Sequence, residues 1–354
     1  MIAINETNFP DANFRSWLLA QDYGKDGMLT EEAIKGITEI NVRDQDISSL
    51  KGIEHFTALT ELDCSYNKLT TLDVSGCTAL TELNCRENQL ADLNASGCTA
   101  LTELDCEMNE QLADLDLSGC AALTEFYCSK NKLADLDLSG CAALKELFCA
   151  DNDLTTLDVS GCAALTILEC TCNELADLDV SRCMALKELN CDCNKLTDLD
   201  LSGCAALKEL DCFGNELTSL NVSGCIALRI LDCSDNQLTT LDVSECTILT
   251  RLHCPCNELT DLNLSGCTTL TMLDCKCNQL KGAAMDRLIE SLPQTGKESS
   301  LYVYDGKKPY EKNVCTKAQV AAARAKGWEV LATYDEKMEE WEEYDGCDEQ
   351  PPLS

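Results

Sequence analysis

Histidine is nearly missing from this chain: His55 and His253 are the only two among 354 residues, and they stand in different parts of it. A glycine-rich phosphate loop and a nucleophile elbow are missing as well. Acid–base or nucleophilic catalysis therefore has no recognisable pair to use, and no enzymatic activity is expected. Long apolar runs are also lacking. No stretch of 18 apolar residues occurs, so insertion into a membrane is not expected. Met1-Ile2-Ala3-Ile4-Asn5 does not read as a signal peptide. As written the chain reads as soluble, which leaves its compartment open between the cell surface and the cytoplasm. Positive charge is scarce: 27 basic residues face 62 acidic ones, a net charge of -35. Such a surface repels phosphate backbones and anionic lipid, which excludes nucleic acid and favours cations or basic surfaces.

What the chain has in abundance is repetition. From Leu59 to Leu280 the phrase L-x-x-L-x-C-x-x-N-x-L recurs, first as Leu59-Thr60-Glu61-Leu62-Asp63-Cys64-Ser65-Tyr66-Asn67-Lys68-Leu69. Its Asn returns at Asn88, Asn109, Asn131, Asn152, Asn173, Asn194, Asn215, Asn236, Asn257 and Asn278, every 21 residues except for one step of 22. The extra residue falls in Glu110-Gln111, where a turn can absorb it. Leu62 and Cys64 alternate with Glu61, Asp63 and Ser65, the period-2 pattern of a strand with one buried face. One such unit cannot bury that face alone, so units must stack. An inward Asn, with a donor and an acceptor end, can satisfy backbone groups in the turn after the strand. A 21-residue period with this phrase is the leucine-rich-repeat signature. The second half of each unit, as in Leu72-Asp73-Val74-Ser75-Gly76-Cys77, predicts a short extended segment on the opposite side and a Ser-Gly turn.

The chain holds 27 cysteines. Eleven, from Cys64 to Cys275, fall at one inward strand position, and ten, from Cys77 to Cys267, at one position after the Ser-Gly turn. Neighbours in such a column lie about 4.8 Å apart with parallel side chains, whereas a disulfide needs Cβ atoms about 3.8 Å apart. These thiols are expected to act as compact hydrophobes in a thin core. Within the repeats four others lie outside the columns, all in Cys-x-Cys-Asn: Cys172, Cys193, Cys256 and Cys277. Standing directly before the Asn, they are expected to face solvent. On adjacent repeats they could bridge, share a thiolate-bound metal, or remain thiols.

Both ends differ from the repeats. Phe14, Trp17 and Leu18 predict a short amphipathic helix near Pro10. Asp22 to Ala33 resembles a worn EF-hand loop, with Asp22 and Asp26 at positions one and five, but Gly24 at three and Ala33 at twelve. Calcium there is an alternative to a plain turn. Ile37 to Leu59 reads as an opening repeat without the cysteines. After Leu280, a helix on Met285, Leu288, Ile289 and Leu292 should stop at Pro293, and a strand should follow at Leu301-Tyr302-Val303-Tyr304. Thr316-Lys317-Ala318-Gln319 is a capping box opening a helix that closes at Gly327. The expected organisation is a helical cap at residues 1–36, a solenoid at 37–280, a strand-helix-strand cap at 281–334 and a loosely held acidic tail at 335–354.

Asn8-Phe9-Pro10-Asp11-Ala12-Asn13-Phe14-Arg15, the worn Asp-Gly loop, Leu50-Lys51-Gly52-Ile53-Glu54, the repeats, Ala284-Met285-Asp286-Arg287-Leu288 and Lys326-Gly327-Trp328 together resemble the leucine-rich-repeat proteins of anaerobic gut and oral bacteria, and more distantly internalins. The resemblance implies an α/β repeat solenoid, a right-handed superhelix with a concave parallel β-sheet. It implies a surface or secreted adhesion or protein-binding scaffold without a cofactor. Partners would be a protein or glycan ligand with basic character, and the chain would be a monomer. The exposed strand columns carry Glu61, Glu82, Glu103, Glu125, Glu146, Glu188 and Glu209 in one line and Asp63, Asp105, Glu169, Asp211, Asp232 and Asp274 in another. Tyr127 and Phe148 interrupt the acid on adjacent rungs, with Ala150 beside them. Exposed aromatics among charge are the usual anchor of an interface. Partner binding is therefore expected at Tyr127, Phe148, Ala150, Glu125, Glu146, Glu169 and Asp105. The rival reading is a metal-binding or redox protein using the Cys-x-Cys-Asn thiols, and a third is a structural stalk.

Overall fold

A computed structural model describes residues 1–296, 299–333 and 341–348. The chain divides into two compact units, Met1–Glu174 and Leu175–Ser354. That boundary falls inside the repeats, where no change of composition marks it.

In the first unit, three-residue strands stack as a parallel sheet: Glu39–Asn41, Glu61–Asp63, Glu82–Asn84, Glu103–Asp105, Glu125–Tyr127, Glu146–Phe148 and Ile167–Glu169. Each strand buries its central residue and the residue just after the strand, Ile40 and Val42 in the first and a Leu or Phe followed by Cys in the others. A second parallel sheet of Thr71–Asp73, Asp92–Asn94 and Asp114–Asp116 closes the opposite side of the coils. Two extended sides and two turns, with no helix, thus make each of these coils. The extra residue is accommodated as expected. Glu110 and Gln111 form a turn, the Leu112 amide bonds back to the Asn109 carbonyl at 2.8 Å, and the flanking strands keep register.

The Asn column supplies the turns. Asn67 is buried, donates from Nδ2 to the carbonyls of Val42 (2.8 Å) and Cys64 (3.0 Å), and accepts the Ile47 amide at 2.9 Å. The amide ends therefore satisfy buried backbone groups that the turn would otherwise strand. The residue before the Asn is left-handed in repeat after repeat: φ is 56° at Tyr66, 54° at Glu87, 60° at Lys130 and 52° at Cys172.

The cap of the first unit is the helix Ala12–Ala20, whose N-cap Asp11 accepts the Asn13 and Phe14 amides at 2.9 Å. The other carboxylate oxygen takes the Ser48 amide (2.8 Å) and hydroxyl (2.7 Å), tying helix to first coil. Burial pushes the Asp11 carboxyl up, but the bonds from Phe14, Ser48 and Asn13 outweigh it and hold the group below its ordinary range. Gly52, at φ 105°, leaves room for Phe9, whose ring would lie 2.3 Å from a Cβ there.

In the second unit the parallel sheet runs through Glu188–Asn190, Glu209–Asp211, Ile230–Asp232, Arg251–His253 and Met272–Asp274, then into the cap strands Ser299–Asp305 and Trp328–Thr333. Helix Ala283–Ser291 buries Met285, Leu288 and Ile289, and helix Lys317–Ala325 opens on the Thr316–Gln319 capping box. The acidic tail, read as loosely held, departs from that reading in its described part. Trp341–Glu343 pairs antiparallel with Trp328–Thr333, and Tyr344 is buried and stacks on Tyr304 at 5.3 Å. The physical reason is an unpaired sheet edge next to an aromatic socket: the segment satisfies the one and fills the other.

Candidate functional site

The site expected around Tyr127 and Phe148 lies on the solvent face of the first unit's main sheet. In each strand the central residue points into the core, so the residues on either side of it point out. Parallel register then sets like beside like: Glu39, Glu61, Glu82, Glu103, Glu125 and Glu146 form one line. The parallel line runs Asn41, Asp63, Asn84, Asp105, Tyr127, Phe148 and Glu169. Glu39 extends the acidic line by one rung and was missed, because its repeat lacks the Cys and Asn markers.

Tyr127 and Phe148 are half-buried and stacked, with ring centroids 5.0 Å apart and planes 13° from parallel. The Tyr127 hydroxyl donates to Glu125 Oε2 at 3.2 Å, and burial together with the Glu125 charge pushes the phenol up to about 12. The rings therefore meet solvent as one neutral, two-ring surface among carboxylates. Ala150 is half-buried beyond them, and its carbonyl takes the Lys130 amide at 2.9 Å. Glu169 takes the Thr171 hydroxyl. The crowding leaves an electrostatic mark. Burial, then Glu125, Glu82 and Asp105, raise the Glu103 carboxyl, and burial raises Asp105 despite the Glu107 amide and Arg86. Arg86 pairs with Glu107 at 2.8 Å beside this face.

The remaining candidates lie elsewhere. In the second unit Glu188 pairs with Glu209, but the line then runs to Ile230, Arg251 and Met272, so the acid is broken there. Asp22 and Asp26 are exposed, and the Asp22 carboxylate sits 3.5 Å from the Lys25 ammonium. Among the described residues, no three or more His, Cys, Asp or Glu side chains are grouped as a metal ion would need. Cys172 and Cys193 are exposed, as expected, and belong to different compact units. Cys256 is half-buried, and Cys277, expected to face solvent, is buried. The cap is the reason: Glu311 takes the Cys277 amide at 2.7 Å and brings its loop over the thiol.

The two cysteine columns are buried as expected. Their thiols also do something the columns alone did not reveal, since several in the second column donate to carbonyls of the previous coil, such as Cys98 to Val74 at 3.4 Å and Cys120 to Ala95 at 3.3 Å. Burial pushes these groups far from thiolate formation, Cys120 and Cys149 to about 12.

Comparison with known proteins agrees with this architecture. Residues 78–119 match the family described as Leucine Rich repeats (2 copies). Internalin J of Listeria monocytogenes is 39% identical over 68 residues, which is 19% of this chain and only 7% of that protein. A solved functional domain of the same Listeria protein, described as including a cysteine ladder, aligns over 93% of this chain and 80% of its own, with 27% identity and a TM-score of 0.56. A Listeria internalin, InlF, shares the fold with a TM-score of 0.68 at 21% identity, covering 95% of this chain and 99% of that one. The fold and repeats define a leucine-rich-repeat solenoid. In its repeats and fold the chain is similar to the internalins.

Proposed function

We propose that this chain is a non-enzymatic binding scaffold whose first-unit sheet face takes an extended, basic segment of a partner protein, with Tyr127 and Phe148 as the anchor. The stacked pair set in two acidic lines carries the reading. Paired rings offer large contact area at little entropic cost, and flanking carboxylates select positive charge and speed encounter. A bound cation would also offset the neighbouring carboxylates that add to burial in raising Glu103 and Asp105. The internalin likeness supports a setting at or beyond the bacterial surface.

The test uses a fluorescent Lys/Arg-rich peptide with a central Trp, titrated against the whole chain at low and high salt. Tyr127→Ala with Phe148→Ala should weaken binding by about 10–100-fold, the range of interface anchors. Glu125→Lys with Glu146→Lys should weaken it further and flatten the salt dependence. Unchanged affinity in both double variants, with unaltered circular dichroism, would remove this face from the account.

A further inference from the structure

Cys256 and Cys277 occupy the same turn position on neighbouring coils of the second unit, each directly before a ladder Asn and each left-handed at φ 55°. The Cys256 amide donates to the Lys276 carbonyl at 3.2 Å, so the two turns are in direct contact. In the columns the flat ladder keeps side chains parallel. Here the two sulfurs lie close enough to interact, with the Cys277 thiol as donor toward the Cys256 sulfur. Adjacent rungs lie about 4.8 Å apart, within the Cα separation of roughly 4.4–6.8 Å that a disulfide spans.

The surroundings separate the roles of the two sulfurs. Cys256 is half-buried and open to a small reagent, whereas Cys277 is 1% exposed. The Tyr310 hydroxyl bonds to the Cys256 sulfur, and the Lys308 ammonium bonds to that hydroxyl and lies 5.8 Å from the Tyr310 ring centre. The Cys277 thiol, the Tyr310 hydroxyl and the nearby cation favour charge on the outer sulfur, against its burial and Asp235, and its thiol is held below the ordinary range. The column thiols are pushed the opposite way.

We propose that Cys256 and Cys277 are a redox-active dithiol that closes to an intrachain disulfide when it meets a low-molecular-weight disulfide, with Cys256 attacking and Cys277 resolving. The Cys256 thiolate attacks one sulfur of the reagent, forming a mixed disulfide and expelling one reagent thiolate. Cys277 then loses its proton and attacks the Cys256 sulfur, expelling the second reagent thiolate. The two protein thiols are oxidised and the reagent is reduced to two thiols. Closure joins the last two repeat turns covalently beneath the cap loop, independently of the binding face in the first unit.

The test exposes the whole chain, purified without oxygen, to graded ratios of oxidised to reduced glutathione, then quenches with acid, alkylates and maps peptides by mass. The expected result is a Cys256–Cys277 linked peptide, lighter by two hydrogens, appearing while Cys106, Cys128 and Cys149 remain unmodified. In Cys277→Ser the reaction should stop at a glutathione adduct on Cys256. Wild-type chain in which both thiols persist, or in which Cys256 carries glutathione beside an unreacted Cys277, overturns the proposal. An unreactive Cys256 in the variant overturns its assignment as the attacking thiol.

Discussion

Asn152→Ala tests the turn mechanism at a single rung. The Asn152 amide donates to the carbonyls of Cys128 at 3.0 Å and Cys149 at 3.1 Å, and its Oδ1 accepts the Leu133 amide at 3.0 Å. The side chain is 7% exposed, so water has little access to replace it. Three hydrogen bonds contribute on the order of 1 kcal/mol each, and the stranded Leu133 N–H adds about 1–3 kcal/mol. The expected loss is therefore about 4–6 kcal/mol, as large as the heaviest single-residue effects. In a stack where each coil touches only its neighbours, the damage should be local. Hydrogen exchange followed by mass spectrometry should show faster exchange in residues 131–173 and ordinary protection around Asn67. Asn152→Asp sharpens the test: it retains the acceptor for Leu133 but turns a carboxylate oxygen toward two carbonyls. Asn88→Ala, which loses the same set of bonds, should cost the same. A loss below about 1 kcal/mol for Asn152→Ala, or protection lost evenly along the chain, would refute the argument that the column makes the turns.

Two further outcomes follow from the same geometry. Glu103 is raised above its ordinary 4.5, so the native state binds protons more readily there than the unfolded chain, and that contribution to stability is present below 4.5 and lost as pH rises through the folded value. Asp105 shifts the same way, so on mild acidification from neutral pH the wild-type chain should gain stability relative to Glu103→Gln with Asp105→Asn, followed by chemical denaturation; identical pH profiles would contradict the raised carboxyls. Lys130 sits at φ 60°, a conformation costing a non-glycine residue about 1–2 kcal/mol. Lys130→Gly should raise the denaturation midpoint by about 0.5–1 kcal/mol in stability once the entropic cost of glycine is subtracted, and a lowered midpoint would show that its side chain holds the turn.

Strands, buried cysteines and inward Asn side chains were legible because each is dictated at every turn of the repeat: alternation places Leu62 and Cys64 inside, and a turn with stranded carbonyls needs an amide. The left-handed residue before each Asn was not legible, since Tyr66, Glu87, Lys130 and Cys172 share no chemistry and only Gly214, at φ 65°, hints at the conformation. Asn313 was missed for a different reason. It continues the Asn column, taking the Leu280 amide at 2.8 Å and donating to Cys275 at 2.8 Å, but the cap helix interrupts the period before it arrives. The docked segment at Trp341–Glu343 was hidden by its acidic composition, which describes its solvent side and says nothing of the sheet edge it covers.

The candidate site shows the reverse relation between repetition and function. A feature present on every rung, such as the Leu, the core Cys or the Asn, is explained once the stack is explained. What remains are departures: two aromatics where neighbouring rungs carry Asp105 and Glu169, and second cysteines before the Asn on four rungs alone. Period alone was enough to place Tyr127 beside Phe148, because a fixed repeat length converts sequence distance into sheet register. It also set Cys256 and Cys277 on adjacent rungs, but it did not reveal the cap loop that closes over the second and leaves the first half-buried. Sites written in the register of a solenoid can thus be read from its sequence, whereas sites made by its turns and caps need the fold.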